Sequence, residues 1–207
     1  MSLSGRLWLT GLGLVATLVV GGIVARRSPE PPVYWAAPAF ALVDQEGDSL
    51  RSGDLAGTTW IASFVFTHCT SVCPVITRTM AGLRDSLEAH QLLGRRIRLL
   101  SFSLDPVRDT PEVLRKYAGE FGGSPPGEWA FLTGGQPEAT QRLVSQGFHL
   151  AVQPLPATPA DSESGYQIMH STRLVLVDGD GQIRGLYQAN EPEAMERLAT
   201  DLRRVLK

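Results

Sequence analysis

The sequence carries only two cysteines in 207 residues, and only four histidines. Two cysteines allow one disulfide at most, so no disulfide framework holds this fold together. Neither lies in residues 1–27, which excludes a lipid-modified cysteine there. Basic charge is scarce as well. With residues 1–27 set aside (three arginines, no acid), 16 basic residues face 21 acidic ones, a formal charge of −5. That balance excludes a nucleic-acid footprint. No internal repeat is visible, so a repeat architecture is excluded too.

What is present fits a globular domain: 43% hydrophobic residues against 19% charged. Leu7–Ala25 is 19 residues without charge, bounded by Arg6 and by Arg26-Arg27. At 1.5 Å per residue a helix there spans roughly 28 Å, close to a bilayer core. The run is longer than a usual signal-peptide core, so residues 1–27 are expected to be a transmembrane anchor rather than a cleaved signal. Residues 28–38, with prolines at 29, 31, 32 and 38, are expected to form an extended tether. Residues 39–207 remain, enough for one domain with a full core. Anchor or signal, the cysteines lie near or beyond a membrane, most simply in an oxidising compartment.

Along the domain, Ala39–Val43 and Ser49-Leu50 flank Asp44-Gln-Glu-Gly47 as a hairpin. Trp60–Phe66 is an apolar strand, and a helix runs from the second cysteine to about His90. Ile97–Leu104 is a second core strand. Thr110 caps a helix with Pro111 at its first position, ending near Phe121. A strand over Trp129–Leu132, a helix over Pro137–Gln146 and a short strand over His149–Val152 follow. Pro154–Gly165, rich in Pro, Ser and acids, is expected to be a mobile loop. Ile168–Val177 and Gln182–Tyr187 form a hairpin around Asp178-Gly-Asp-Gly181, and Pro192–Leu206 is a terminal amphipathic helix. This alternation describes an α/β thioredoxin-like sandwich.

Both cysteines fall in Phe64-Val-Phe-Thr-His-Cys-Thr-Ser-Val-Cys-Pro74, where a buried strand turns into a helix. If the helix begins near Cys69, then Cys69 and Cys73 share one face about 6 Å apart along the axis. That spacing permits a disulfide or two thiolates converging on one metal ion. Free N–H groups at a helix start also favour thiolate. A four-residue loop gains little from cross-linking, which argues against a purely structural disulfide.

Three segments together resemble the SCO/SenC family of membrane-tethered copper chaperones: Phe66-Thr-His-Cys-Thr-Ser-Val-Cys-Pro74, Ser103-Leu-Asp-Pro-Val-Arg-Asp-Thr-Pro111 and His170-Ser-Thr-Arg-Leu-Val-Leu-Val-Asp178. Their order and spacing fit over roughly residues 38–205. The resemblance implies a thioredoxin fold in which Cys69, Cys73 and His170 bind copper. It implies delivery to the dinuclear copper A site of cytochrome c oxidase, or thiol chemistry that prepares that site. The cytochrome c oxidase copper-site subunit, or another copper-receiving client, is the implied partner. The implied location is the inner membrane, with the soluble domain on the periplasmic side (the intermembrane space in a mitochondrion). Two positions depart from the family pattern: Ser71 and Met169 stand where acidic residues are usual. Their loss lowers negative charge and is expected to weaken Cu(II) relative to Cu(I).

Two thiolates and an imidazole make a soft donor set suited to Cu(I), open to Cu(II) with added ligands. Structural zinc normally takes four protein ligands, and only three candidates exist here. His68 is expected to end the strand with its side chain turned from the cysteines, and His90 and His149 to be solvated. Met169 neighbours His170 in an extended segment, so its side chain points the other way; core packing is expected for it. Asp105, Arg108 and Asp109 are expected to pin their loop by charge-assisted hydrogen bonds rather than to bind metal. A rival function is a membrane-anchored thiol–disulfide oxidoreductase using Cys69 and Cys73, although histidine stands at 170 where such enzymes usually carry proline. A peroxidase is disfavoured because Phe66 occupies the place of that family's motif proline.

Overall fold

The computed structural model describes residues 29–123, 127–154 and 168–206. The segment expected to anchor the chain in a membrane, residues 1–27, lies outside them, as does nearly all of the loop expected over Pro154–Gly165. Among the described residues no helix is long and apolar enough to cross a membrane.

Residues 31–207 form one compact unit around a six-stranded sheet. The strands are β1 (Trp35–Ala36), β4 (Thr59–Val65), β5 (Ile97–Ser103), β6 (Trp129–Leu132), β9 (Arg173–Val177) and β10 (Gln182–Gln188), in the order β1-β10-β9-β4-β5-β6. Strands β4, β5 and β6 are parallel; β9 runs antiparallel to β4, and β10 to β9. Two small ribbons stand apart from this sheet: β2 (Ala41–Val43) with β3 (Ser49–Arg51), and β7 (Val152–Pro154) with β8 (Ile168–His170). Every residue of β4 is buried, as its unbroken apolar run requires of a strand covered on both faces. Ser63 and Ser101 are buried polar residues facing each other across the two central strands. Their hydroxyls pair at 2.8 Å, and the Trp129 indole N–H donates to Ser101 at 2.9 Å, so both hydroxyls are satisfied.

Among the described residues, helices α1 (Cys73–Ala89) on β4 and β5, α2 (Pro111–Glu120) on β6 and α4 (Pro192–Val205) on β10 cover the sheet, and a short α3 (Pro137–Arg142) leads into the turn over Leu143–Gly147. Aromatic rings fill the core, with Phe64 stacked on Phe102 at 5.6 Å and Phe148 edge-on to Phe64 at 5.0 Å. Thr110 caps α2 by accepting the Val113 N–H, with Pro111 in the first turn, as its sequence requires.

Helix α1 begins at Cys73, as expected along the chain; the start near Cys69 that would put both cysteines on one helical face is not met, because residues 69–72 form an irregular turn. Three boundaries differ from the sequence expectation. Ile168–Val177 is two strands: β8 leaves the sheet to pair with β7, and β9 enters it after a break at Ser171-Thr172. The strand expected at His149–Val152 starts at Val152 instead, since His149 takes a left-handed φ of 52° that a strand excludes. The helix expected to run to Gln146 ends its regular turns at Arg142 and closes in a widened turn over Leu143–Gly147. Within the span read as a tether, Trp35–Ala36 joins the sheet beside β10, and the Arg184 guanidinium donates to the Pro31 carbonyl at 2.6 and 3.0 Å.

Candidate metal centre

Parallel β4 and β5 end on the same edge of the sheet, and antiparallel β9 begins there. The loops after β4 and β5 and the lead into β9 therefore meet at one place, the carboxyl edge where such folds carry sites. The loop after β4 brings the cysteines, the segment before β9 brings His170, and the loop after β5 ties down Thr67, two residues before Cys69.

The Cys69 N–H donates to the Phe66 carbonyl at 3.2 Å, which turns the chain back toward the helix. No side chain caps α1 in the usual way. Instead the Cys73 N–H, at the first helical residue, donates to Cys69 Sγ at 3.3 Å. The helix start thus stabilises negative charge on Cys69 even though the two cysteines do not share a helical face. A hydrogen bond from the Cys73 thiol is the larger influence. With lesser ones from backbone N–H groups, it outweighs burial and holds Cys69 well below the ordinary thiol range. The same sharing of one proton, with burial, pushes Cys73 up. Of the two free cysteines, Cys69 therefore gives up its proton more readily than Cys73.

His170 Nε2 stands 3.3 Å from Cys73 Sγ. Its Nδ1 lies 2.9 Å from the Ser171 carbonyl oxygen, which can only accept, so Nδ1 carries the ring proton. That assignment leaves the Nε2 lone pair aimed at the sulfurs, the arrangement in which a second partner fixes the tautomer of a metal-binding histidine. Phe66 packs edge-on to the ring at 5.8 Å. The donor atoms of Cys69, Cys73 and His170 all lie within 4.8 Å of one another. An ion bonded at about 2.0–2.3 Å holds its donors at most about 4.6 Å apart. The three therefore stand close to ligand spacing already.

Asp109 is fully buried, and its carboxylate accepts from Thr67 Oγ1 and Ser103 Oγ, each at 2.6 Å, and from the Thr67 N–H at 3.3 Å. It ties the cysteine loop to β5. Asp105 meets Arg108 at 3.4 Å. Both carboxylates brace, as expected from their place after a strand end. Thr67 was not visible as a brace in the sequence, and neither were Thr77 and Tyr117. The Thr77 hydroxyl donates to the Cys73 carbonyl at 2.9 Å and meets the Tyr117 hydroxyl at 2.8 Å. Forty residues separate those two, and no local pattern announces their contact.

Two expectations are corrected. His68 does not end the strand; it sits exposed in the turn after it, against Thr67 Oγ1 at 3.3 Å, and lies outside the convergent group. Met169 is 54% exposed rather than packed in the core. It does point away from His170, as strand alternation requires, but the ribbon has water on that side instead of core. His90 and His149 are exposed, as expected. Ser71 is exposed with its hydroxyl 3.7 Å from Cys69 Sγ.

A family model described as SCO1/SenC matches residues 31–207. The SCO1 protein homolog of Bacillus subtilis is 28% identical over 172 residues, covering 83% of this chain and 83% of that protein. The solved structure of BsSco, described as containing a disulfide switch and as a member of the Sco family of cytochrome c oxidase assembly proteins, is 26% identical. It covers 86% of this chain and 98% of its own, with a TM-score of 0.69. The copper-bound structure of Bradyrhizobium japonicum ScoI shares the fold at a TM-score of 0.65, with 24% identity over 83% of this chain and 99% of that one. A sheet of this topology, a Cys-x3-Cys turn facing a distant histidine, and a family match over the whole compact unit lead to one conclusion: the chain belongs to the SCO1/SenC family.

Proposed function

We propose that this protein is a copper carrier that holds one copper ion between Cys69, Cys73 and His170 and delivers it to, or prepares, the dinuclear copper A site of cytochrome c oxidase. The observation that carries the reading is the convergence of two sulfurs and an imidazole nitrogen within 4.8 Å, with Nδ1 committed to the Ser171 carbonyl. Two soft thiolates with one imidazole favour Cu(I) over harder ions. Three protein ligands leave a coordination position open, through which a client's ligand can enter. The copper-bound relative and the oxidase-assembly role of BsSco support the same reading. Residues 1–27 would tether the domain to the inner membrane, with the site on the periplasmic or intermembrane-space side; the charge-free run Leu7–Ala25 supports this.

Copper stoichiometry on the purified full chain tests the proposal. The reduced protein is expected to bind one Cu(I), and the protein with Cys69 and Cys73 bridged essentially none, because a disulfide removes both soft donors. Equal loading of the Cys69→Ser, Cys73→Ser double variant would refute it.

A second reading, a thiol–disulfide oxidoreductase acting on client cysteines, is favoured by one observation. Cys69 is held as thiolate at a helix start, the condition for disulfide exchange. In this reading Cys69 attacks a client disulfide and Cys73 resolves the mixed disulfide.

A further inference from the structure

His170 reaches the cysteines from the β7–β8 ribbon, which is no part of the main sheet. What holds that ribbon is therefore a question about the site. Its two strands pair Val152 with His170, and the Ser171 N–H donates to the Ala151 carbonyl at 2.9 Å. Just before β7, the chain passes through Gly147, Phe148 and His149. Phe148 is sunk in the core, while Gly147 and His149 meet the segment around β1.

The contacts are close. A Cβ on Gly147 would stand 2.6 Å from Pro38 Cβ and 2.7 Å from Pro38 Cγ, so only glycine leaves room for the Pro38 ring against this backbone. Trp35 meets the His149 ring edge-on, with centroids 4.9 Å apart and planes at 83°. His149 holds φ at 52°, a conformation non-glycine residues rarely keep unless their surroundings fix it. Trp35 in turn is set by pairing with Ile183 of β10.

We propose that Trp35 and Pro38 are positioning residues for the metal centre: by clasping Gly147 and His149 they fix the root of the β7–β8 ribbon and so the reach of His170 to Cys69 and Cys73. Both lie in the stretch that leads into the domain from the N-terminal segment. Displacing that stretch would withdraw the imidazole while leaving both thiols in place. The copper consequence rests on the carrier reading above; the clasp itself does not.

The test uses the full chain and two readouts. The first is hydrogen exchange of the Ser171 amide without copper, with amides of β4 and β5 as controls for the sheet. Gly147→Ala and Trp35→Ala are expected to speed exchange at Ser171 at least tenfold with the control amides unchanged. Trp35→Phe keeps an edge-on ring and should exchange like the parent. Pro38→Gly, which removes the ring packed on Gly147, should itself speed exchange at Ser171 in part. The second readout is Cu(I) affinity, expected to fall about tenfold in the two disruptive variants, the lower end for losing support behind a metal ligand. The nitrogen signature in the Cu(II) electron-paramagnetic spectrum should weaken with it. Unchanged Ser171 exchange in Trp35→Ala overturns the clasp, whatever copper does. Faster exchange with unchanged affinity and an intact nitrogen signature overturns the positioning of His170. A parent protein that binds no copper sinks the carrier reading, while the exchange result still decides the clasp.

Discussion

At the residue scale, the donors are unequal in what they contribute. The cysteines supply softness and charge, and His170 completes the set from a separate ribbon. His170→Ala should therefore lower Cu(I) affinity by at least tenfold, about 1.4 kcal/mol. It leaves the thiols and their helix start in place, so disulfide exchange with a small substrate should change little. Measuring both across pH separates the two functional readings: intact affinity with lost exchange would favour the reductase. Ser71 bears on which copper ion is preferred. Its hydroxyl lies 3.7 Å from Cys69 Sγ on an exposed turn. Ser71→Asp puts a carboxylate beside the site and should strengthen Cu(II) binding more than Cu(I), since added negative charge favours the more charged ion. Titrations at two salt concentrations check it, because the gain of an exposed charge should shrink as salt rises. Met169, exposed on the far side of β8, adds no donor to the set in this geometry.

At the scale of elements, the loop after β5 acts as the underside of the cysteine loop. Asp109→Ala would strand the Thr67 N–H and the Thr67 and Ser103 hydroxyls, and should cost about 2–4 kcal/mol by denaturant unfolding. Burial also raises the Asp109 pKa above its ordinary 3.8, against the pull of the hydrogen bonds from Ser103 and Thr67. The folded state then binds more protons than the unfolded one between that value and the raised one. This contribution to stability is full below pH 3.8 and is lost as pH rises through the folded pKa. Asp109→Asn should flatten that slope in unfolding free energy measured from pH 4 upward. Elements whose signals are local were legible in the sequence. The apolar run of β4, the Thr110-Pro111 start of α2, the turn at Asp178–Gly181 and the Cys-x3-Cys turn all announce themselves within a few residues. Elements defined by their partner were not. Nothing within Ile168–Val177 tells which half joins β7 and which joins β4, and nothing in Trp35–Ala36 tells that β10 has a free edge beside it. Met169 was misjudged for the same reason: alternation gives its direction, but only the ribbon's position outside the sheet puts water there.

At the scale of the whole molecule, copper in the proposed site would join parts of the chain that are remote in sequence. An ion held by the native fold and not by the unfolded chain stabilises by mass action. At Cu(I) 100-fold above the dissociation constant the gain is about 2.7 kcal/mol. Calorimetric unfolding should show that gain in the parent chain and lose it in the Cys69→Ser, Cys73→Ser variant; an equal shift in both would place copper elsewhere. The same remoteness has a consequence in time. His170 lies 97 residues after Cys73, so at about 5–20 residues per second the ribosome makes the thiols roughly 5–20 s before the imidazole. Strand β9, which fixes the far side of β4, comes later still. A nascent chain therefore shows its two sulfurs to the surroundings as a bare dithiol, open to oxidants and stray metal alike. Only on completion does it become a site with a third donor and a defined geometry, so the dithiol must outlast the interval of synthesis unoxidised for the three-donor set to form.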